Sequence, residues 1–106
     1  MTNEEFVLTV DEAVVRCKRT LNQKGKDYSY QDDRFSNFRS AAGLQSCTPE
    51  QALFGMLAKH LVAINDFIDN DAMGEIVLKK DWDDKIYDAI NYLFLLQGML
   101  KEKGKM

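Results

Sequence analysis

Asp84, Asp88 and Asn91 stand four and three residues apart in the C-terminal quarter of the chain. On a helix that spacing puts all three on one face, about one turn apart. Two carboxylates placed so can share a divalent cation such as Mg2+, which takes oxygen ligands and keeps several waters. The same pattern also describes a solvated half-helix whose acids complement the N-terminal dipole, although Asp88 lies beyond the first turn, where that effect fades. A second set of candidates is basic and aromatic. The stretch KGKDYSYQDDRFSNFR, residues 24 to 39, interleaves Lys24, Lys26, Arg34 and Arg39 with Tyr28, Tyr30, Phe35 and Phe38. With Lys59, these cations can converge on a phosphate while Tyr28 or Phe38 stacks on a base. The competing reading has the aromatics filling a core and the cations left in solvent. Neither common Gly-rich phosphate loop is present.

His60 is the chain's one histidine and falls inside an apolar helical stripe, where a packed, hydrogen-bonded imidazole is commoner than a general base. No serine or cysteine is spaced to partner it, so a hydrolytic triad has no support. Cys17 and Cys47 form no metal-ligand spacing with it. They read as structural thiols, reduced if the protein is cytoplasmic.

Broad classes narrow quickly. At 106 residues, 45% hydrophobic and 29% charged, the sequence suits one helical domain and excludes a disordered chain. A net charge of −3 and a pI near 5.1 argue against general nucleic-acid binding. The longest apolar run, Tyr92 to Leu96, is far short of the roughly 20 residues of a membrane span. The acidic start, MTNEEFVLTVDE, is unlike a signal peptide, so the expectation is a cytoplasmic protein without membrane contact.

The elements that must position these residues read as helices. Thr9-Val10-Asp11-Glu12 has the form of a capping box, and Ala13, Val14, Cys17 and Leu21 follow at helical spacing. A first helix is therefore expected from about 10 to 24, stopped by Gly25, with residues 1 to 8 frayed or adding a turn. Asp32 or Asp33 can cap a short helix ending near Ala42 and Gly43, its apolar face carrying Phe35, Phe38 and Ala42. Thr48-Pro49-Glu50-Gln51 is the strongest boundary signal and predicts a third helix to about Asp69. Its stripe is Leu53, Met56, Leu57, Ile64, Phe67 and Ile68. Residues 70 to 80 read as loop. Asp81 can cap a last helix from about Trp82 to Lys103, with Gly104 as its stop and a core stripe of Trp82, Ile86, Ala89, Leu93, Leu96 and Leu100. The second half of that helix is apolar all round and needs cover on every side, which predicts a homo-oligomer with Leu95 and Met99 in the interface. The fold expected is an all-α bundle of three long helices and one short one.

Two segments together, KGKDYSYQDDRFSNFRSAA and DDKIYDAINYLFLL, resemble the nucleotide-modification-associated domain of bacteriophage proteins, which is in turn similar to the MazG-type nucleotide pyrophosphatases. Asp27-Tyr28 matches that family's turn, Asn37-Phe38-Arg39 its next element, and Asp84, Asp88, Asn91 and Tyr92 its last helix. The likeness covers about residues 24 to 97. Two departures bear on catalysis. Ala58-Lys59 stands where the family has Asp-Lys, and a Glu-Glu-x-x-Glu metal motif is missing, whereas a pyrophosphatase needs several carboxylates around its Mg2+.

The resemblance implies a phage-type protein of the host cytoplasm that binds a nucleotide or nucleotide-derived signal, with weak or no pyrophosphatase activity. Lys26, Asp27, Tyr28, Asn37, Phe38, Arg39, Lys59, Asn91 and Tyr92 would line the ligand, with Asp84 and Asp88 on Mg2+ if a metal is used. The alternative is a non-enzymatic module that binds a host protein, such as an anti-CRISPR-like inhibitor of a defence or replication complex, with acidic surface meeting a basic partner.

Overall fold

The computed structural model describes residues 1–28 and 33–106, without the side chains of Asp27 and Tyr28. Four helices follow one another: α1 (Asn3–Tyr28), α2 (Ser36–Gln45), α3 (Pro49–Ala72) and α4 (Lys79–Glu102). No strand occurs among the described residues, and the architecture is the all-α bundle expected.

Helices α3 and α4 form an antiparallel hairpin, the most extensive packing in the chain. Three contacts run along its length. Glu50 meets Lys103 at one end at 3.2 Å, His60 lies against Tyr92 with ring centroids 5.2 Å apart, and Phe67 meets Trp82 edge-on at the other end. Helix α2 lies across the open end of the hairpin, where Phe35, the residue before it, packs directly on Gly98 of α4; a Cβ at Gly98 would come within 2.8 Å of the Phe35 ring. Helix α1 runs parallel to the first half of α4. Arg16 reaches Asp83 and Asp84, the Cys17 thiol is directed at the Tyr87 carbonyl, and Lys24 reaches Asp88. The inner core is small: Leu53 is fully buried, with Leu57, Ala52, Ala42, Ala89, Met99 and Cys17 around it.

The boundary signals were used unequally. Thr48 and Gln51 make the reciprocal capping box that opens α3, with Pro49 at its first position. Gly104 ends α4 with φ of 76°, and the Lys105 amide donates to the Leu100 carbonyl. Helix α1 differs from expectation at both ends. A second Thr-x-x-Glu box, Thr2 to Glu5, caps it seven residues earlier, at 3.1 Å in each direction. The Thr9 hydroxyl instead donates to the Glu5 carbonyl inside the helix. Gly25 does not stop it, because the Arg34 side chain lies over that glycine and donates to the Leu21 carbonyl at 3.2 Å. Asp33 accepts from the Phe35 amide just ahead of α2, which starts without a side-chain cap; Asp32 and Tyr30 lie outside the described residues. Helix α4 starts at Lys79 without a side-chain cap, leaving Asp81 in its first turn.

The rotation of α4 is the main correction. Ile86 and Leu93, expected in the core, are exposed, as is Ile68 of α3. Met99, expected on a subunit interface, is 3% exposed, and Leu95 turns inward. The reason is that α4 has neighbours on two sides, α3 on one and α1 on the other, so its covered arc includes the face bearing Asp88, Asn91 and Leu95. The apolar side chains it leaves outside are Ile86, Leu93 and Phe94.

Candidate functional site

Where α1, α2, α3 and α4 come together, a cavity of about 240 Å3 opens. Each helix contributes a different chemistry. Leu21 and Lys24 come from α1, Asn37 and Phe38 from α2, Met56 from α3, and Asp88, Asn91, Tyr92 and Leu95 from successive turns of α4; Arg34 enters from the turn before α2. The acidic and polar face of α4 is thus an inner wall, which is why the helix rotates away from its purely apolar stripe.

The electrostatics of this wall are mixed. Lys24 and Asp88 make a long ion pair of 3.9 Å across the cavity, both partly in solvent. Arg34 is half-buried, and its protein acceptor is the Leu21 carbonyl, with no carboxylate beside it among the described residues. Burial pulls its pKa below the ordinary guanidinium value. A guanidinium in a partly desolvated wall can donate to an anion. Asn91 is only 6% exposed, and its Oδ1 has no protein donor among the described residues. An orphaned buried acceptor costs about 1–3 kcal/mol, which a ligand N–H would recover.

Behind the wall, His60 packs on Tyr92, its Nδ1 buried 4.0 Å from Asp88 Oδ2 without a hydrogen-bond partner among the described residues. Burial pushes the His60 pKa down, opposed by Asp88 and reinforced by Lys85 and Lys24. The imidazole is therefore neutral at pH 7, and its approach to Asp88 is not an ion pair there. Tyr92 is pushed the other way by burial and by Asp88, so its hydroxyl stays protonated and can donate. Cys17 is also raised by burial, a packed thiol rather than a nucleophile.

Of the residues expected at a site, the cavity gathers Asn37, Phe38, Asp88, Asn91 and Tyr92. It does not gather Lys26, Lys59 or Arg39. Lys26 and Lys59 are exposed elsewhere, and Arg39 is ion-paired with Asp33 and Glu102 beside a separate depression at the α2–α4 end. The side chains of Asp27 and Tyr28 lie outside the described residues. Lys24 and Arg34 take the cationic role instead. Arg34 was one candidate among five similar cations, and only the fold of the 24–39 stretch separates it from the others. Leu21, Met56 and Leu95 carried no signal beyond their place in helical stripes. Asp84 is turned to Arg16 at 3.5 Å and does not line the cavity with Asp88. Among the described residues no group of three or more metal-ligating side chains assembles. No helix among them is long and apolar enough to cross a membrane.

Comparison with known families, characterised proteins and solved structures gave no match. The functional reading therefore rests on this cavity.

Proposed function

We propose that the chain binds a small anionic ligand carrying a planar ring, with a nucleotide or nucleotide-derived signal as the chemical class. The observation that carries this is the juxtaposition of Arg34, which has no carboxylate partner among the described residues, with Asn91 Oδ1, which has no donor among them, in one cavity lined by Phe38 and Tyr92. Arg34 and Lys24 meet the anion. Phe38 and Tyr92 offer aromatic surface to the ring, and Asn91 accepts from a ring or exocyclic N–H. At about 240 Å3 the cavity is smaller than the ~300–1,000 Å3 of sites that enclose a whole drug-sized ligand. It seats one portion of a nucleotide and leaves the rest at its mouth.

Binding rather than turnover is the reading favoured. No nucleophile bonds to His60 among the described residues, and Asp84 and Asp88 are directed to different cations, Arg16 and Lys24. A Mg2+ ion, if used, would have to compete with Lys24 for Asp88 or arrive with the ligand's own phosphates. The resemblance to the phage nucleotide-modification-associated domain agrees with this ligand class.

A thermal-shift panel of nucleoside phosphates, deoxynucleotides and cyclic dinucleotides, with and without Mg2+, tests the proposal. A ligand at 100 times its Kd adds about 2.7 kcal/mol to stability, a clear rise in Tm. Arg34→Met and Asn91→Leu should each weaken the hit by about tenfold or more, the worth of a hydrogen bond to a charged or buried group. Silence of the folded protein across the panel would remove the nucleotide reading and leave the protein-binding alternative.

A further inference from the structure

The α3–α4 hairpin has two broad sides, and the chain covers one of them. His60 and Phe67 of α3 meet Tyr92 and Trp82 of α4. Each residue turns a helix by about 100°, so in an antiparallel pair the residues just before such contacts share one side of the hairpin. The residues just after them share the other. Asn91 precedes Tyr92 and faces the cavity, the side where α1 and α2 pack. Leu61, Ile68 and Leu93 follow His60, Phe67 and Tyr92, and are 48%, 54% and 55% exposed.

That open side has a regular pattern. On α3, Phe54, Ala58, Leu61, Asn65 and Ile68 alternate at steps of four and three. On α4, Ile86, Ile90, Leu93, Gln97 and Leu100 do the same. Steps of four and three make the seam by which bundled helices pack, whereas a solvated face has no need of them. The hairpin register, fixed by Glu50–Lys103 and His60–Tyr92, sets Leu61 level with Ile90 and Leu93, and Ile68 close to Ile86. The two seams thus form one surface. Each helix has 24 residues. At about 36 Å long and about 10 Å wide apiece, the pair presents roughly 700 Å2. Each partner in a standard specific interface contributes about 800 Å2.

A surface that meets its own copy does so about a two-fold axis lying in the interface. An axis across the helices stacks α3 on α3 and turns Asp66 and Asp69 toward the acidic start, at Glu50, of the second α3. An axis parallel to the helices stacks α3 on α4 and sets Asp69 near Lys79 and Lys80 of the second copy. Asp69 and Lys80 are exposed and stand outside every ion pair of the described residues. The parallel axis also brings Phe94, 43% exposed, level with Ala58 and with Gly55, where an added Cβ meets nothing within 4 Å. Charge and size both select this arrangement.

We infer that the open side of the α3–α4 hairpin packs on the same side of a second copy of this chain. The two-fold axis runs parallel to the helices, and the product is an antiparallel four-helix bundle with α3 of each copy along α4 of the other. The cavity lies on the opposite side of the hairpin, so this inference does not depend on its ligand.

Sedimentation equilibrium of the full chain tests it. The expected mass is twice 12.2 kDa, falling to one chain in Leu61→Asp/Leu93→Asp with helicity by circular dichroism retained. Two charge variants test the axis, and they alter only exposed side chains, so they read the interface even if the aspartates cost helicity. Asp69→Lys and Lys79→Glu/Lys80→Glu should each raise the dissociation constant several-fold at low salt. An equimolar mixture should restore the dimer, because each copy then meets opposite charge at both contacts. A wild-type chain that stays monomeric at every concentration would overturn the inference, as would a dimer untouched by the leucine substitutions. A mixture no tighter than its components would overturn the stacking of α3 on α4.

Discussion

His60 behaves as a packing residue whose neutrality the fold requires. It is wedged against Tyr92, with Asp88 as a nearby acid and Lys85 and Lys24 as nearby cations. Its folded pKa lies below the ordinary value of ~6.5, so the folded protein binds this proton less readily than the unfolded chain. The associated stability is present above pH ~6.5 and is lost as the pH falls through the depressed folded value. Melting temperatures between pH 7.5 and 5.5 should therefore fall further for the wild type than for His60→Gln, over a range where most carboxylates are still ionised. Parallel slopes would show that another group carries the pH dependence. At this scale the sequence was partly legible. It placed His60 in a stripe, and Asn37, Phe38, Asn91 and Tyr92 among the candidates. It could not sort the cations, because Lys24, Lys26, Arg34, Arg39 and Lys59 differ only in what the fold sets beside them.

The helices show which local signals decide structure and which yield to packing. Thr48-Pro49-Glu50-Gln51 was decisive because the box satisfies two backbone amides whatever lies beyond it. Thr9-Val10-Asp11-Glu12 has the same form and was overridden, because Thr2 and Glu5 provide an equivalent cap upstream and no breaker separates the two. Gly25 yielded because Arg34 covers it. Phe35 against Gly98 is the opposite case, where a glycine is held by contact rather than by backbone conformation. Gly→Ala inside a helix normally gains about 1 kcal/mol. Gly55→Ala, whose new methyl meets nothing within 4 Å, should show that gain as a higher Tm. Gly98→Ala should lower the Tm, since its Cβ would lie 2.8 Å from the Phe35 ring and the ring is fixed at the entry to α2. Denaturant melts of the two variants side by side measure the difference; equal stabilisation by both would mean that Phe35 moves aside freely.

At the scale of the whole molecule, the all-α class followed from periodicity, but the direction in which α4 presents its faces did not. A stripe on a helix with one neighbour identifies the core. A helix with neighbours on two sides has a covered arc wide enough to take in Asn91 and Met99, and periodicity alone cannot choose which apolar residues lose out. The need for cover was legible in the apolar second half of α4. On α4 the uncovered apolar side chains are Ile86, Leu93 and Phe94 rather than Leu95 and Met99, and the first half of α1 is uncovered as well. The exposure of the first half of α1 depends on where α4 begins, after a six-residue connection from α3, and no feature of α1 itself encodes that.

The Arg34 guanidinium serves as both a wall of the cavity and a brace across the last turns of α1, over Gly25 and onto the Leu21 carbonyl. Those turns have a glycine inside, and this side chain and Lys24's reach to Asp88 are two of the contacts that hold them. Occupancy of the proposed ligand site and fraying of a helix end would thereby be linked in one equilibrium. Amide hydrogen exchange at residues 22 to 26 should quicken in Arg34→Met while the α3–α4 hairpin keeps its protection. A ligand that holds Arg34 in place should slow exchange at those same amides, so the end of α1 would register a molecule it does not itself enclose.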